Sequence, residues 1–394
     1  MVQATRIAIA GGSIGGLTAA CLLRDAGHDV TVFERSPIEL EQRGAGIVLL
    51  EATARYPIQR AGVDIDDISI KTGVVRYLGR GGRVIHEQQH DHRFSSWTTA
   101  YRSLLTAFDR DRYQLDHELK HWSATDEGVN VHFTNGQSTD ADLLLCADGI
   151  GSMSRTCLQP MTTSNYAGYV AWRGMMHERD LPPSLAERLC EAITYHVMAN
   201  SHILIYPIPG LDGSVAEGER LINFVWYRNY LEGDELDDLM TDRTGKRRTI
   251  SLPPGVIADH HLNEVRATAE ARLPSDLAKL VLGVEDLFLQ VVYDVEIEKM
   301  AFGRVCLIGD AAFVARPHAG AGSAKAAEDS WALATALDQT RTIDEALRIW
   351  EPKQMKLGRE LVARARQIGR RSQVDNAWIP GDPFLQFGLY QPGD

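Results

Sequence analysis

The sequence predicts an α/β composite: a parallel-stranded dinucleotide-binding domain, interrupted by an inserted antiparallel-sheet lobe and closed by a C-terminal helical segment. Three observations predict it. Residues 6–35, RIAIAGGSIGGLTAACLLRDAGHDVTVFER, read as strand, glycine-rich turn, helix and second strand. Residues 304–337 again place a buried strand before an acidic residue, a glycine loop and a helix. Between these two units, residues 166–230 alternate apolar and polar side chains with the period of two that marks a half-buried strand.

In the opening unit, residues 7–10 are a short apolar run followed at once by Gly11, Gly12, Gly15 and Gly16. Residues 17–26 carry the Ala and Leu of a helix, and Gly27 is placed to end it in the left-handed conformation. Residues 30–33 are β-branched and apolar, and Glu34 follows. This is the Rossmann-like βαβ pattern that binds an adenine dinucleotide. Its glycines let the backbone approach a pyrophosphate, its helix N-terminus offers free N–H groups, and its acidic residue holds a ribose diol. The G-x-G-x-x-G pattern departs at its middle position, where Ser13 stands between Gly11 and Gly16. That serine puts a Cβ on the phosphate path, and also a hydroxyl able to donate to the phosphate. The bland reading of the same residues is an α/β unit that binds no nucleotide.

Further along, Arg43-Gly44-Ala45-Gly46 either lies along the pyrophosphate or merely turns the chain. Residues 68–87 read as paired strands with a turn at 79–82, and residues 100–108 as a helix. Arg102, near the start of that helix, either reaches cofactor phosphates or sits on the surface. Asn135-Gly136 predicts a hairpin turn. Its return strand is expected to run through 142–146 into Ala147-Asp148-Gly149, with Arg155 soon after. A carboxylate at the C-terminal end of a buried strand is where open α/β sheets bind ligands, although Asp-Gly alone is a common turn.

In the lobe, strands are expected at 168–174, 202–208 and 221–227. His202, Leu204 and Tyr206 then share one face of their strand, and Asn223, Val225 and Tyr227 one face of the next. Helical spacing resumes at 265–271 and 276–282. In the second strong unit, residues 305–308 form a buried strand ending in Gly309-Asp310, and Pro317, His318, Gly320, Ala321 and Gly322 form the loop before a helix to 337. Asp310 suits a polyol hydroxyl, and the helix dipole suits negative charge on a cofactor ring. A long amphipathic helix follows at 343–367, then a Pro- and Gly-rich tail at 376–394. The expected division is 1–68, 96–163 and 286–394 for the dinucleotide domain, and 69–95 and 164–285 for the lobe.

Composition narrows the function classes. A net charge of −12 argues against a nucleic-acid partner. No apolar run approaches the length of a membrane span, and the chain enters its first strand without a leader. None of the five cysteines forms a C-x-x-C pair, a pattern expected of a reduced, cytoplasmic protein without disulfide or metal framework.

The opening βαβ unit, Asp148-Gly149 with Arg155, and Gly309-Asp310 with Pro317 stand in a fixed order. Together they resemble the single-component FAD-dependent aromatic hydroxylases, the family of p-hydroxybenzoate hydroxylase, over nearly the whole chain. YAGYVAWRG from Tyr166, YPIPG from Tyr206, DDLMTD from Asp237 and RPHAGAG from Arg316 are similar to the branch that acts on dihydroxypyridines.

The resemblance implies a Rossmann-like FAD-binding domain and the following roles. Gly11, Ser13, Ile14, Gly15 and Gly16 hold the FAD pyrophosphate, and Glu34 the adenosine ribose. Arg35, Arg43 and Arg102 lie near the adenosine and phosphates. Asp148 lies near both the cofactor phosphate and nicotinamide paths, Asp310 holds the ribityl chain, and Pro317, Gly320, Ala321 and Gly322 run beside the flavin ring. It implies that NADH or NADPH reduces FAD, that O₂ gives a flavin hydroperoxide, and that an electron-rich aromatic such as a hydroxypyridine is attacked. A homodimer is the assembly often met in the family. Two positions depart from its pattern: Ser13, and Phe313, which stands where histidine usually follows GDAA.

Deprotonating a hydroxypyridine makes it a better nucleophile, so a base near the ring is expected. His318 is the first choice, because it follows Pro317 in the loop beside the flavin. Tyr206 and Tyr227 follow, on strands expected to face the flavin. The bland readings are a histidine that satisfies loop backbone groups and tyrosines that fill a core. His196 and His202 are expected to be structural.

The alternatives are a hydroxylase of another aromatic (hydroxybenzoate, salicylate or urate type), a flavin-dependent halogenase, a plain NAD-dependent dehydrogenase and a non-catalytic flavin redox sensor. None of the seven tryptophans forms the W-x-W pair of halogenases. A dehydrogenase would not need the two later strand-end carboxylates. The intact loop at 317–322 argues against a mere sensor.

Overall fold

The computed structural model describes residues 2–40, 45–125 and 128–394. Arg43 lies outside the described residues. Runs without polar alternation must be covered on both faces, and those at 7–10, 143–146 and 305–307 form the centre of a largely parallel six-stranded sheet. Its order is Ala301–Phe302, Val305–Leu307, Leu143–Cys146, Arg6–Ala10, Asp29–Phe33 and Tyr113–Gln114, with only the first strand antiparallel to its neighbour. Helix Ile14–Asp25, flanked by Gly322–Gln339 and Trp97–Ala107, covers one face. A three-stranded meander, Leu119–Ala124, Val129–Phe133 and Ser138–Ala141, covers the other.

That meander corrects one expectation. Asn135-Gly136 does turn a hairpin, with Gly136 at φ +87° and the Asn135 side chain accepting from the Gln137 amide. The return strand, however, ends at Ala141. Asp142 is then pinned by Arg6, whose amide and guanidinium both donate to it, and Leu143–Cys146 joins the parallel sheet. A buried strand and a hairpin strand lie end to end in sequence, and the pattern alone does not mark where the chain changes sheets.

The lobe is a nine-stranded sheet in the order Ser251–Leu252, Phe288–Asp294, Asn165–His177, Leu221–Asn229, Ser201–Ile208, Ala192–Met198, Ile70–Leu78, Val84–Ser96 and Gly46–Val48. Helices Pro183–Cys190, Asp234–Leu239, Asp259–Arg272 and Ser275–Gly283 cover one face. The other face packs Tyr169, Leu204, Tyr206, Val225 and Tyr227 toward the dinucleotide domain. The expected boundaries at 68 and 286 shift accordingly. Phe288–Asp294 pairs with Asn165–His177, and Gly46–Val48 pairs with Val84–Ser96, so both belong to the lobe's sheet. Short apolar strands carry no signal for which sheet they join.

Helix Ile343–Gln373 is longer than its expected 343–367 and bridges the two units. At its end the Gln373 carbonyl accepts from Asn200 and Asn229 of the lobe. The tail then folds back: the Gly388 amide donates to the Ala319 carbonyl, and Phe387 packs on His92 and Phe94.

Candidate active site

The parallel register brings the separated motifs together. Ala10 pairs with Phe33 and with Cys146, and Cys146 pairs with Leu307. The next residues in each strand therefore emerge along one rim: Gly11, Glu34, Asp148 and the 309–310 pair. This is the C-terminal edge, where open parallel sheets bind ligands.

The opening turn is set by steric limits. Gly11 has φ +106°, and a Cβ there would meet the Ala147 carbonyl oxygen at 2.3 Å. A Cβ on Gly16 would lie 1.9 Å from the Gly11 carbonyl oxygen. Ser13 takes the N-cap position of the following helix in an extended conformation, yet its hydroxyl makes no capping bond. It is left to face the groove, as do the N–H groups of the first helical turn. Glu34 is buried, and its carboxylate accepts from the Gly12 and Ser36 amides. Each oxygen keeps a further lone pair for a ligand hydroxyl. Arg35 is exposed beside it.

The groove has two sections, of about 330 and 340 Å³, that share Ser13, Trp97, Ala147 and Gly149 as walls. They form one trough from Glu34 to Pro317. Asp148 borders the first section, where its carboxylate accepts from the Ser152 hydroxyl and the Ser154 amide. Arg155 ties the two later motifs together by donating to the Asp310 and Ala311 carbonyls. Asp310 borders the second section. Its side chain is open to the groove but enclosed by protein on its other sides, and this enclosure raises its carboxyl above the ordinary range, with Lys325 and Arg155 opposing.

The second section lies between strand Gly46–Val48 and the 317–322 loop. Gly320, at φ +63°, packs so close to Val48 that a Cβ would stand 2.6 Å from it. Gly46 is pinned by three side chains: its carbonyl accepts from Tyr206 and Arg173, and its amide donates to Asn223. The strand faces came out as expected. His202 pairs with Tyr227, Leu204 with Val225 and Tyr206 with Asn223 in one antiparallel register. Tyr206 and Tyr227 both border the cavity. Tyr206 spends its hydroxyl proton on Gly46, whereas the Tyr227 hydroxyl has no hydrogen-bond partner among the described residues.

His318 is placed differently from expectation. It is buried behind Tyr227, ring centroids 4.4 Å apart, and its Nε2 shares a 2.8 Å hydrogen bond with the Tyr169 hydroxyl. It does not border the cavity. The turn of the 317–319 segment directs alternate residues to opposite sides, so Pro317 faces the cavity and His318 faces helix Ile343–Gln373. Arg102 also differs: it donates to the Leu211 carbonyl and stands outside the walls of both sections. His202 is buried against Gln373, and His196 donates from Nδ1 to the Leu78 carbonyl, both away from the cavity. Among the cavity residues that escaped the sequence reading are Phe387 and Arg173. Phe387 comes from the tail, and only the chain reversal brings it there. Arg173 was legible as a lone charge in an apolar strand run.

Phe313 has a structural role of its own. Its ring lies 4.9 Å from the buried Lys325 ammonium and fills the space above Gly358, where a Cβ would come within 2.4 Å of it.

Comparisons with known proteins agree with this geometry. Residues 9–38 match the family described as NAD(P)-binding Rossmann-like domain, 166–294 that described as FAD binding domain-like, and 279–348 that described as FAD binding domain. The chain is 37% identical to 2,6-dihydroxypyridine 3-monooxygenase of Paenarthrobacter nicotinovorans, over 98% of this chain and 96% of that protein. The structure of 2,6-dihydroxypyridine-3-hydroxylase from Arthrobacter nicotinovorans superposes with a TM-score of 0.94 at 35% identity, covering 100% and 98% of the two chains. A 3-amino-4-hydroxybenzoate 2-monooxygenase of Streptomyces cremeus is 27% identical over 92% of this chain and 86% of its own.

The chain belongs to the FAD-dependent aromatic monooxygenases.

The residues of this monooxygenase fit the cofactor. A dinucleotide needs two polyol sites, a phosphate site and a ring site. The groove offers a carboxylate at Glu34 and another at Asp310, an uncommitted hydroxyl at Ser13 beside free helix amides, and a slot between Val48 and Pro317. The monooxygenase has no helix, among the described residues, long and apolar enough to cross a membrane.

The buried histidines give this monooxygenase a predictable acid response. Burial lowers His92 and His202 to about 3, and lowers His318 well below the ordinary imidazole value with His202 and Arg316 adding to the effect. All three are neutral when folded, whereas the unfolded chain protonates them near pH 6.5. The unfolded state then binds more protons, so stability is fully present above about pH 6.5 and falls as pH drops below it. The expected slope is roughly 1.4 kcal/mol per pH unit for each histidine. Thermal midpoints at pH 7.5, 6.5 and 5.5 check this. His202→Asn should flatten the decline, and a midpoint constant across the range would contradict the assignment.

Proposed function

We propose that this monooxygenase hydroxylates an electron-rich, hydroxyl-bearing N-heteroaromatic, a dihydroxypyridine foremost, with NADH or NADPH and O₂ as co-substrates. The observation that carries the reading is the cavity face: a phenol with an unspent hydroxyl, Tyr227, and a cation, Arg173, border the same small chamber as the 317–322 loop. The high identity to a dihydroxypyridine monooxygenase over the full chain supports the substrate class.

Bound FAD supplies the activated oxygen. Gly11, Ser13, Ile14, Gly15 and Gly16 would hold its pyrophosphate, Glu34 and Arg35 its adenosine end, and Asp148 and Asp310 the stretch between. Pro317, Gly320, Ala321 and Gly322 would border its ring, with the N-terminus of helix Gly322–Gln339 directed at it. Tyr227 would hydrogen-bond a ring hydroxyl of the substrate. Leu204, Val225 and Phe387 would exclude water from the chamber. His318 supports Tyr227 from behind and holds Tyr169 by its hydrogen bond. All five cysteines are free and four are buried, which supports a reducing, cytoplasmic setting.

An oxygen electrode tests the reading. NAD(P)H-dependent O₂ uptake should rise on adding 2,6-dihydroxypyridine, with hydroxylated product formed. Stimulation by benzoates or urate but not by hydroxypyridines would overturn the substrate class. Tyr227→Phe should keep full flavin content and lower kcat/KM by about tenfold, the worth of one hydrogen bond to an ionised oxygen. Unchanged kinetics would remove Tyr227 from the site.

A further inference from the structure

Arg173 is the one charged residue of its strand segment Tyr169 to Gly174, and register places it on the groove face. It pairs with Val225 on one side and Phe288 on the other, and Val225 pairs with Leu204. Its guanidinium donates to the Gln290 side chain at 2.9 Å and to the Gly46 carbonyl at 3.0 Å. Its Nε is buried with no partner, and the Phe288 ring lies 6.0 Å away. None of these partners is a carboxylate, and among the described residues none forms an ion pair with it. Arg76 and Arg316, buried elsewhere in the same sheet or beside it, and the half-buried Arg220 and Arg228 each sit on a carboxylate.

A cation enclosed by protein without a counter-charge is costly, and the cost falls when an anion binds beside it. Among the other polar groups that line the chamber are the Tyr206 and Tyr227 phenols, with Ser13, Asp310 and Ser323 of the cofactor-side motifs. Burial raises both phenols, and Arg173 works against that rise, so its charge reaches the space they enclose. An ionised hydroxypyridine has the complementary charge, and it is also the form whose ring carbon is the better nucleophile.

We propose that Arg173 is a specificity-determining residue that pairs with an anionic oxygen of the aromatic substrate and selects its ionised form. The inference rests on the hydroxylase reading above, and it adds the charge state that the chamber takes. The same chemistry could serve an anionic reduced flavin, so the test separates the two sources.

The FAD-loaded wild type, R173K and R173Q are titrated in the oxidised state with 2,6-dihydroxypyridine and, separately, with 4-hydroxybenzoate. Binding is followed by the flavin absorbance change from pH 5.5 to 8.5, and the ligand-free flavin midpoint potential is measured for each protein. In the wild type, dihydroxypyridine should bind more tightly as pH rises through its ionisation. R173Q should weaken it by about tenfold to a hundredfold and lose the pH dependence. R173K, with a point charge in place of the planar fork, should bind more weakly than wild type but keep the pH dependence. This pair separates charge from packing, and if R173Q fails to hold FAD, a flat pH profile in R173K would overturn the proposal. Wild-type affinity in R173Q would overturn it, as would a lowered potential with unchanged ligand binding, which assigns the charge to the flavin. If the wild type binds only the benzoate, and R173Q loses that binding, Arg173 keeps its role while the heteroaromatic reading falls. Binding of neither ligand to the wild type would overturn both.

Discussion

Gly16→Ala is expected to leave the protein nearly free of flavin. The added Cβ would stand 1.9 Å from the Gly11 carbonyl oxygen, a backbone atom that cannot swing aside as a side-chain end can. Relief requires the turn to open. The turn cannot move toward the sheet, because Gly11 is itself packed against the Ala147 carbonyl, and its amide donates to the Phe33 carbonyl. Opening it would displace Ser13 and the first helix amides from the phosphate path. Overpacking of this kind costs about 3 kcal/mol, equivalent to roughly a hundredfold in FAD affinity. The ratio of flavin to protein absorbance after gel filtration checks it, and wild-type occupancy would show that the turn tolerates the methyl. By contrast, Gly27→Ala, where nothing lies within 4 Å of the added Cβ, should keep its flavin and lose only some stability through the φ of +90°.

Asp329→Asn is expected to destabilise the fold by about 3–5 kcal/mol, the cost of leaving a buried charge unpaired. Lys325 is 2% exposed, and its ammonium donates to Asp329 at 2.6 Å. The same carboxylate oxygen accepts from the Gly309 amide, so the pair anchors the loop that presents Asp310. Burial raises the Asp329 carboxyl, and Lys325 opposes the rise. The asparagine keeps the shape and the acceptor for Gly309 but removes the counter-charge. A lower thermal midpoint and reduced flavin occupancy are expected together. Adding Lys325→Met should recover much of the loss, since an apolar side chain against Phe313 needs no counter-ion. A double variant no better than Asp329→Asn would show that the anchor, and not the stranded charge, carries the effect.

The two predictions show how legibility was divided. The opening turn was readable because its residues are contiguous and their sterics are local. Gly11, Gly16 and Glu34 lie within one βαβ unit, and their spacing already states what the backbone must do. The Lys325–Asp329 pair was not read as a site, because an i,i+4 pair on a helix looks the same whether it faces water or a core. Tyr206 and Tyr227 were readable as sharing faces, because the period of a strand is two. Arg173 obeys the same period and would have been found by extending the alternation from Tyr169.

By itself, then, the sequence determined the βαβ unit, the two later strand-end carboxylates, the sheet lobe and the family. All of these are carried by local periodicity, glycine sterics and motif order. Tertiary structure alone decided the rest. Strands Phe288–Asp294 and Gly46–Val48 join the lobe's sheet because long-range hydrogen bonding selects their partners. His318 turns behind Tyr227 because the cavity side of a tight loop has room for Pro317 and not for the ring that Tyr169 holds. The tail delivers Phe387 to the chamber by folding back over Ala319. Each of these outcomes depends on which distant surface a segment meets, and no spacing within the segment encodes that.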